Sequence, residues 1–463
     1  MSTSVPSSVP APELALARSH GRVSARYAAY PPLQAFRAEC REALLLAKRD
    51  PAHAAEALAL YVHMPFCYTA CSFCTCVKTV THDGGKASRY LDYLEREIAA
   101  HAGMPGAARP VTRMAWGGGT PTYYTMLQLR RVWRALRRHF TFVPDGEYSI
   151  EVDPRTVGAA SFLELRDMGF TIVGLTVPDL NQRVLDGVAR PQLREQSLGV
   201  ISAALYAGFR AVGVDMLYGL PQQTAASFID TLAAIIAMQP DRIILHDYVH
   251  APRRYKAQRQ FKPHEVPRVP ERFEMLGLAV DCLASAGYVH IGPDCFVRGA
   301  DPLAAAHASG RVHFDMMGYS AAGATDLVGI GVSAVSATES TYAQNEIELG
   351  AYYERLGVGE LPIARGIALA PDDAVRRAVM RLVLCRGRVA YADIERQCSL
   401  DFERYFAAEL EALKPYAGAG LVRVQNRAIE VLPRGRLWAR NICSVFDRYR
   451  EARRETAGTR LLP

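Results

Sequence analysis

The sequence lacks any run of 18 consecutive apolar residues, so no membrane-spanning helix is read from it. Its first residues, MSTSVPSSVPAPE, contain no apolar core, so no export signal is read there, and about the first 12 are expected to be a disordered tail. No period of 20–50 residues recurs, which sets aside solenoids and propellers. Strong charge is missing too. Lys+Arg 54 against Asp+Glu 47 leaves +7 over 463 residues, too small an excess to call for nucleic acid. Cysteine is sparse over most of the chain: Cys40, Cys282, Cys295, Cys385, Cys398 and Cys443 are scattered. That distribution excludes a disulfide scaffold and fits a reducing, cytoplasmic setting. Half of the residues are apolar and 22% are charged, as in an ordinary globular chain.

Against this background the other four cysteines stand out. Cys67, Cys71, Cys74 and Cys76 fall within ten residues. In a reducing compartment such a cluster points to a metal.

Short apolar runs alternate with amphipathic stretches from Leu58 onward. Strands are predicted at 59–64, 113–116, 148–152, 171–177, 211–217, 242–247 and 288–291. Helices are predicted near 87–101, 126–139, 160–168, 195–207, 224–238 and 270–286. Alternation of this kind implies parallel βαβ units, here a partial or full α/β barrel with its chemistry at the strands' carboxyl ends. Residues 300–345 are rich in Gly, Ala and Ser and read as long loops. Residues 368–450 read as mainly helical, with a small hairpin turning at Asn426, a winged-helix-like arrangement. The domains expected are an N-terminal segment (1–50), a barrel (51–300), a loop-rich extension (301–367) and a helical C-terminal unit (368–463).

The first strand runs into Cys67-x3-Cys71-x2-Cys74. Three thiolates can hold three irons of a [4Fe–4S] cluster and leave the fourth open to the amino and carboxylate groups of S-adenosylmethionine. A zinc site, or a structural cluster with a fourth ligand, is the alternative. Cys76, one residue past Cys74, is awkwardly placed for the same cluster and is read as lining its pocket. Gly117, Gly118, Gly119, Thr120 and Pro121 follow the second strand, where glycines let backbone amides approach a ligand. Glu151 and Asp153 end the third strand and read as ligand contacts. Asp215 lies within the fifth, as a ligand contact or half of a buried ion pair.

YVHMPFCYTACSFCTC, WGGGTPT, SIEVDPR, VDMLYGLPQQT, GVSAVS and RNICSVFDRY together resemble the oxygen-independent coproporphyrinogen III oxidase family of radical S-adenosylmethionine enzymes. The resemblance runs from about Arg26 to about Tyr449. It implies an α/β fold, a partial (β/α) radical-SAM barrel with a mainly helical C-terminal domain, and an N-terminal segment near the active site. It makes Cys67, Cys71 and Cys74 cluster ligands and puts Tyr61, Phe73, Cys76, Gly118, Gly119, Thr120, Glu151, Arg190, Asp215, Val249 and Val335 at cofactor contacts. It implies oxidative decarboxylation of a tetrapyrrole in haem biosynthesis, fed by a flavodoxin- or ferredoxin-like donor, in a monomer. Arg26 and Arg298 are candidates for substrate carboxylates. A diverged paralogue with another substrate and a non-catalytic haem-binding protein are the competing expectations.

Some positions depart from the family. Pro178 stands where a cofactor-contacting Gln is usual, and Ile172, Gly174 and Thr176 replace Arg, Ser and Gly. Met316 and Met317 replace Phe-Gln beside the substrate and a second S-adenosylmethionine. One cofactor site is therefore expected. Arg130, Arg131, Arg134, Arg137 and Arg138 share one acid-free helix, either a solvated face or a docking patch for an acidic electron donor.

Overall fold

The computed structural model describes residue 16 and residues 27–40, 57–104, 107–323 and 326–450. One 12-stranded sheet dominates. Its strands are β1 (Leu58–Met64), β2 (Val111–Gly118), β3 (Phe142–Val152), β4 (Ile172–Thr176), β5 (Ala211–Tyr218), β6 (Arg242–Asp247), β7 (Tyr288–Gly292), β8 (Cys295–Arg298), β9 (Asp326–Ile330), β10 (Val335–Ala337), β11 (Thr341–Asn345) and β12 (Ile363–Ala368). They lie in the order β12-β11-β10-β9-β1-β2-β3-β4-β5-β6-β8-β7. Strands β9 and β1 through β6 are parallel, and the two flanks are antiparallel.

Helices α1 (Gly84–Ala102), α2 (Met126–His139), α3 (Ala159–Met168), α4 (Arg194–Ala207), α5 (Ala225–Ala237) and α6 (Val269–Ser285) cover one face of the sheet. Helix α2 shows why they form. Thr125 and Gln128 close a capping box, and Leu129, Val132, Trp133 and Leu136 make one buried stripe. Along the strands, Val62, Met114, Trp116, Ile150, Val173, Val214 and Leu245 join that same core. Each such buried side chain contributes about 1.5–3 kcal/mol. Because strand side chains alternate, Tyr61, His63, Gly117, Glu151, Gly174, Asp215 and His246 point to the opposite, inner face.

The structure corrects the sequence reading at two places. Residues 288–291 are a strand, but β7 is the antiparallel edge of a hairpin with β8 rather than a further parallel unit. Residues 300–345 are not long loops: they hold a helix (Pro302–Ala308), a small hairpin (His313–Asp315 with Gly318–Ser320), β9, β10 and β11. The seventh parallel strand is β9, inserted beside β1. Of the five arginines of α2, Arg130 and Arg131 find acids on neighbouring helices, which suits a solvated face. Arg131 bridges Asp92 at 2.7 Å and Glu95 at 2.8 Å, and Arg130 meets Glu164 at 3.2 Å.

The C-terminal unit has its own core around Val379, Val383, Ile394, Phe402, Trp438 and Ile442. Helix α7 (Pro371–Arg386) precedes a three-stranded sheet of Arg388–Ala390, Ala428–Val431 and Val422–Gln425. Asn426 and Arg427, at φ 54° and 51°, form the hairpin's two-residue left-handed turn, as the sequence suggests. Trp438 stacks on Phe273 of α6 at 4.6 Å, and Arg440 pairs with Asp294, so the unit is fastened to the sheet. Tyr27, in the N-terminal segment, donates to Asp447 at 3.2 Å. Among the described residues no helix is long and apolar enough to cross a membrane.

Candidate active site

Strand β1 ends at Met64, and the chain enters a loop that folds back on itself, Phe66–Cys67 pairing in parallel with Thr79–Val80. Cys67 and Cys71 are buried, Cys74 is half-buried and Cys76 is exposed. The described cysteines are all free thiols. Polar groups gather on the sulfurs. Thr120 Oγ1 lies 3.3 Å from Cys67 Sγ, and Arg190 and Arg155 donate to Cys71 Sγ at 3.5 and 3.8 Å. Burial pushes the Cys67 thiol up. A hydrogen bond from Cys76 pulls Cys74 down to about 5, and the Lys78 charge acts with it against burial.

This donor set fits a cluster. A [4Fe–4S] cluster takes one thiolate on each of three irons, and thiolates suit the cations Arg155, Arg190 and Lys78 that gather on this loop.

The glycine loop closes over the cysteine loop from β2. Gly119 N–H donates to the Met64 carbonyl and Thr120 N–H to the Phe66 carbonyl, both at 2.9 Å. Gly118 has φ +101°, and a Cβ there would sit 2.3 Å from the His63 ring. A Cβ on Gly119 would sit 2.6 Å from the Pro65 backbone. Only glycine allows this approach.

Glu151 reaches the inner face from β3. It is exposed although its strand is central, and it lies between two glycines. A Cβ on Gly174 would come 3.2 Å from its carboxylate, and one on Gly117 3.3 Å from its Cγ. Tyr61 is on the same face, its hydroxyl 3.3 Å from His63 Nδ1, and burial keeps that hydroxyl protonated. Asp215 lies 3.3 Å from His246 Nε2. His246 was missed from the sequence, although it sits near the carboxyl end of β6.

Asp153, expected as a ligand contact, is engaged by two arginines in the structure. It is ion-paired with Arg190 at 3.1 Å and Arg155 at 2.7 Å. Burial raises its carboxyl, but the two guanidiniums outweigh that and hold it below the usual range. Arg155 and Arg190 thus each span Asp153 and Cys71. Arg155, within the quoted SIEVDPR, was not singled out from sequence.

The other sequence candidates have these surroundings. Phe73 packs on the Val184, Val188, Leu217 and Tyr248 cluster. The Val249 carbonyl accepts from Gln258 at 3.0 Å. Val335 packs with Phe36 and Tyr342, and Met316 joins them. Pro178 is buried and its carbonyl accepts from Leu217 N–H at 3.1 Å. Arg298 is corrected: it sits beside Asp241 at the amino end of β6, opposite the cysteine loop. Arg26 lies outside the described residues.

Arg365 was also missed, because its strand β12 lies in a stretch with no clear periodicity. Register places it near the level of Tyr61: Tyr61 pairs with Gly329, and Val335, against which Gly329 packs, pairs with Gln344, opposite Arg365. Arg365 donates to Gln344 Oε1 at 2.7 and 2.9 Å, and among the described residues no carboxylate pairs with it. Burial alone lowers its pKa.

Residues 61–235 match the Radical SAM superfamily model, and residues 369–438 match the HemN C-terminal domain. The chain is 40% identical over 437 residues to the oxygen-independent coproporphyrinogen III oxidase of Escherichia coli (strain K12), covering 94% of this chain and 95% of the relative. The Pseudomonas aeruginosa enzyme of the same name is 38% identical over 441 residues, covering 94% and 95%. The solved structure described as "Coproporphyrinogen III oxidase (HemN) from Escherichia coli is a Radical SAM enzyme" superposes with a TM-score of 0.87 at 40% identity, over 94% of this chain and 98% of that one. The open sheet is therefore the partial barrel of that fold. With a three-cysteine loop at the end of β1, a glycine loop closed over it and near full-length likeness, the chain belongs to the oxygen-independent coproporphyrinogen III oxidase family of radical SAM enzymes.

Proposed function

We propose that this chain converts coproporphyrinogen III to protoporphyrinogen IX, with Cys67, Cys71 and Cys74 holding a [4Fe–4S] cluster and the inner face binding one S-adenosylmethionine and the tetrapyrrole. The observation that carries this reading is the convergence of the cysteine loop, the Gly117–Thr120 loop and Glu151 at the carboxyl ends of β1, β2 and β3. When bound, the cluster and cofactor supply a one-electron cleavage that yields a hydrogen-abstracting deoxyadenosyl radical.

The chain's own groups bind, orient and exclude water. Arg190 and Arg155, fixed by Asp153, offset thiolate charge at Cys71. The amides of the glycine loop and the Glu151 carboxylate suit the amino and carboxylate ends of the cofactor's methionyl part. Each of two propionates would give a hydrogen atom to that radical, then lose carbon dioxide and pass one electron to an external one-electron acceptor, leaving a vinyl group. Met316, beside the expected second-cofactor site, lies in an apolar cluster with Phe36, Val335 and Tyr342, which supports a single cofactor site.

Arg365 is proposed to hold a substrate propionate, since a half-buried guanidinium without a carboxylate partner suits one bidentately. Arg365→Gln is expected to raise KM for the tetrapyrrole at least tenfold, about 1.4 kcal/mol, with S-adenosylmethionine affinity unchanged. Steady-state kinetics under anaerobic conditions, with separate cofactor titration, check this. The function itself is tested by giving the reconstituted, dithionite-reduced protein S-adenosylmethionine and coproporphyrinogen III and identifying the products.

A further inference from the structure

On α2, the last-turn arginines Arg137 and Arg138 lie away from the cysteine loop, because the helix ends at His139 and the Thr141 carbonyl accepts from Val111 N–H at the amino end of β2. A different basic surface lies beside that loop. After β6, residues 248–264 carry Arg253, Arg254, Lys256, Arg259 and Lys262 and no Asp or Glu. All five are exposed, and among the described residues none is paired with a carboxylate. The nearest acid in sequence, Glu265, accepts from the Lys262 backbone at 2.7 Å.

The loop has a built shape. Buried Gln258 accepts from Ala251 N–H at 2.6 Å and donates to the Val249 carbonyl at 3.0 Å. The loop is also fixed to the cysteine loop, Gln260 Nε2 donating to Ser72 Oγ at 2.8 Å. Tyr255 lies within electrostatic reach of Cys74, Cys76 and Lys78, and Arg254 stacks over its ring at 5.4 Å. On this side the cysteine loop is open to solvent, Cys74 being half-buried and Cys76 exposed.

We propose that the 253–262 loop, with the adjoining Cys74–Lys78 edge, is the docking surface for an acidic one-electron carrier protein that reduces the group held by Cys67, Cys71 and Cys74. The proposal rests on the cofactor reading above. One electron leaves the carrier and enters the cluster, with no bond made or broken. Unpaired like charges at an exposed edge give a positive potential that steers an acidic partner and weakens with salt.

The test uses the full chain with its cluster reconstituted, and an acidic flavodoxin as probe. Arg253→Glu/Arg254→Glu/Lys256→Glu is compared with the parent and with Arg134→Glu/Arg138→Glu on α2. Flavodoxin binding is followed by fluorescence anisotropy against ionic strength, and cluster reduction by stopped flow with flavodoxin hydroquinone or dithionite. The loop variant is expected to bind flavodoxin at least about tenfold more weakly, with a flattened salt dependence, and to be reduced by it at least about tenfold more slowly. Its reduction by dithionite stays within about threefold of the parent, and the α2 variant matches the parent throughout. Loop-variant binding within about twofold of the parent overturns the proposal, as does equal weakening on α2. Loss of dithionite reduction in the loop variant alone also contradicts it, because the loop would then be supporting the cluster's fold. A parent that takes no electron from dithionite refutes the cofactor reading itself.

Discussion

Cys71→Ala protein, reconstituted with iron and sulfide, is expected to lack iron–sulfur absorbance and to form deoxyadenosine at least about a thousandfold more slowly than the parent. The reason is geometric. Cys71 is buried between the cations Arg190 and Arg155, which are themselves held by Asp153, so no nearby group can take its place as a thiolate. Alanine fits the space, so the metal-free variant keeps the parent's circular dichroism. Cys76→Ala gives the contrast. Cys76 is exposed and donates to Cys74, so its loss leaves iron content intact while the Cys74 thiol rises from its depressed value. Equal iron loss in Cys76→Ala would show four ligands rather than three, with no iron left open for the cofactor.

Gly119→Val is the second large effect, and it acts through backbone. A Cβ on Gly119 meets the Pro65 carbonyl carbon at 2.6 Å and the Met64 oxygen at 2.7 Å, and neither can swing away as a side chain could. The loop must lift, breaking the Gly119–Met64 and Thr120–Phe66 hydrogen bonds that fasten it to the cysteine loop. Overpacking of this kind costs about 1–3 kcal/mol. The expected result is an S-adenosylmethionine Kd raised at least about tenfold, with cluster content retained because no thiolate moves out of reach. Isothermal titration with the reconstituted protein measures it. Unchanged affinity would remove the glycine loop from the cofactor site.

The site was legible in the sequence where chemistry follows strand order. Cys67, Gly118 and Glu151 come at the carboxyl ends of successive parallel strands, so locating the strands located them. Groups that act through distant partners were not legible. Asp153 reads alone as a ligand contact, yet it binds Arg190, 37 residues away, and spacing cannot reveal that pair. Strand β9 was hidden for another reason: its short apolar run sits in a Gly-, Ala- and Ser-rich stretch that imitates loop, and only pairing with β1 makes it a strand. Arg365 was lost with the same region. The C-terminal hairpin was legible because its turn carries its own signal at Asn426.

Product stoichiometry tests the conversion of coproporphyrinogen III by this chain. Reconstituted protein, reduced by dithionite under strict anaerobiosis, receives S-adenosylmethionine and coproporphyrinogen III, and deoxyadenosine and porphyrinogens are quantified together by chromatography. Protoporphyrinogen IX is expected with two deoxyadenosines for each, one per propionate converted to vinyl. Deoxyadenosine with no protoporphyrinogen IX, or neither product from a protein carrying its full cluster, would contradict that conversion.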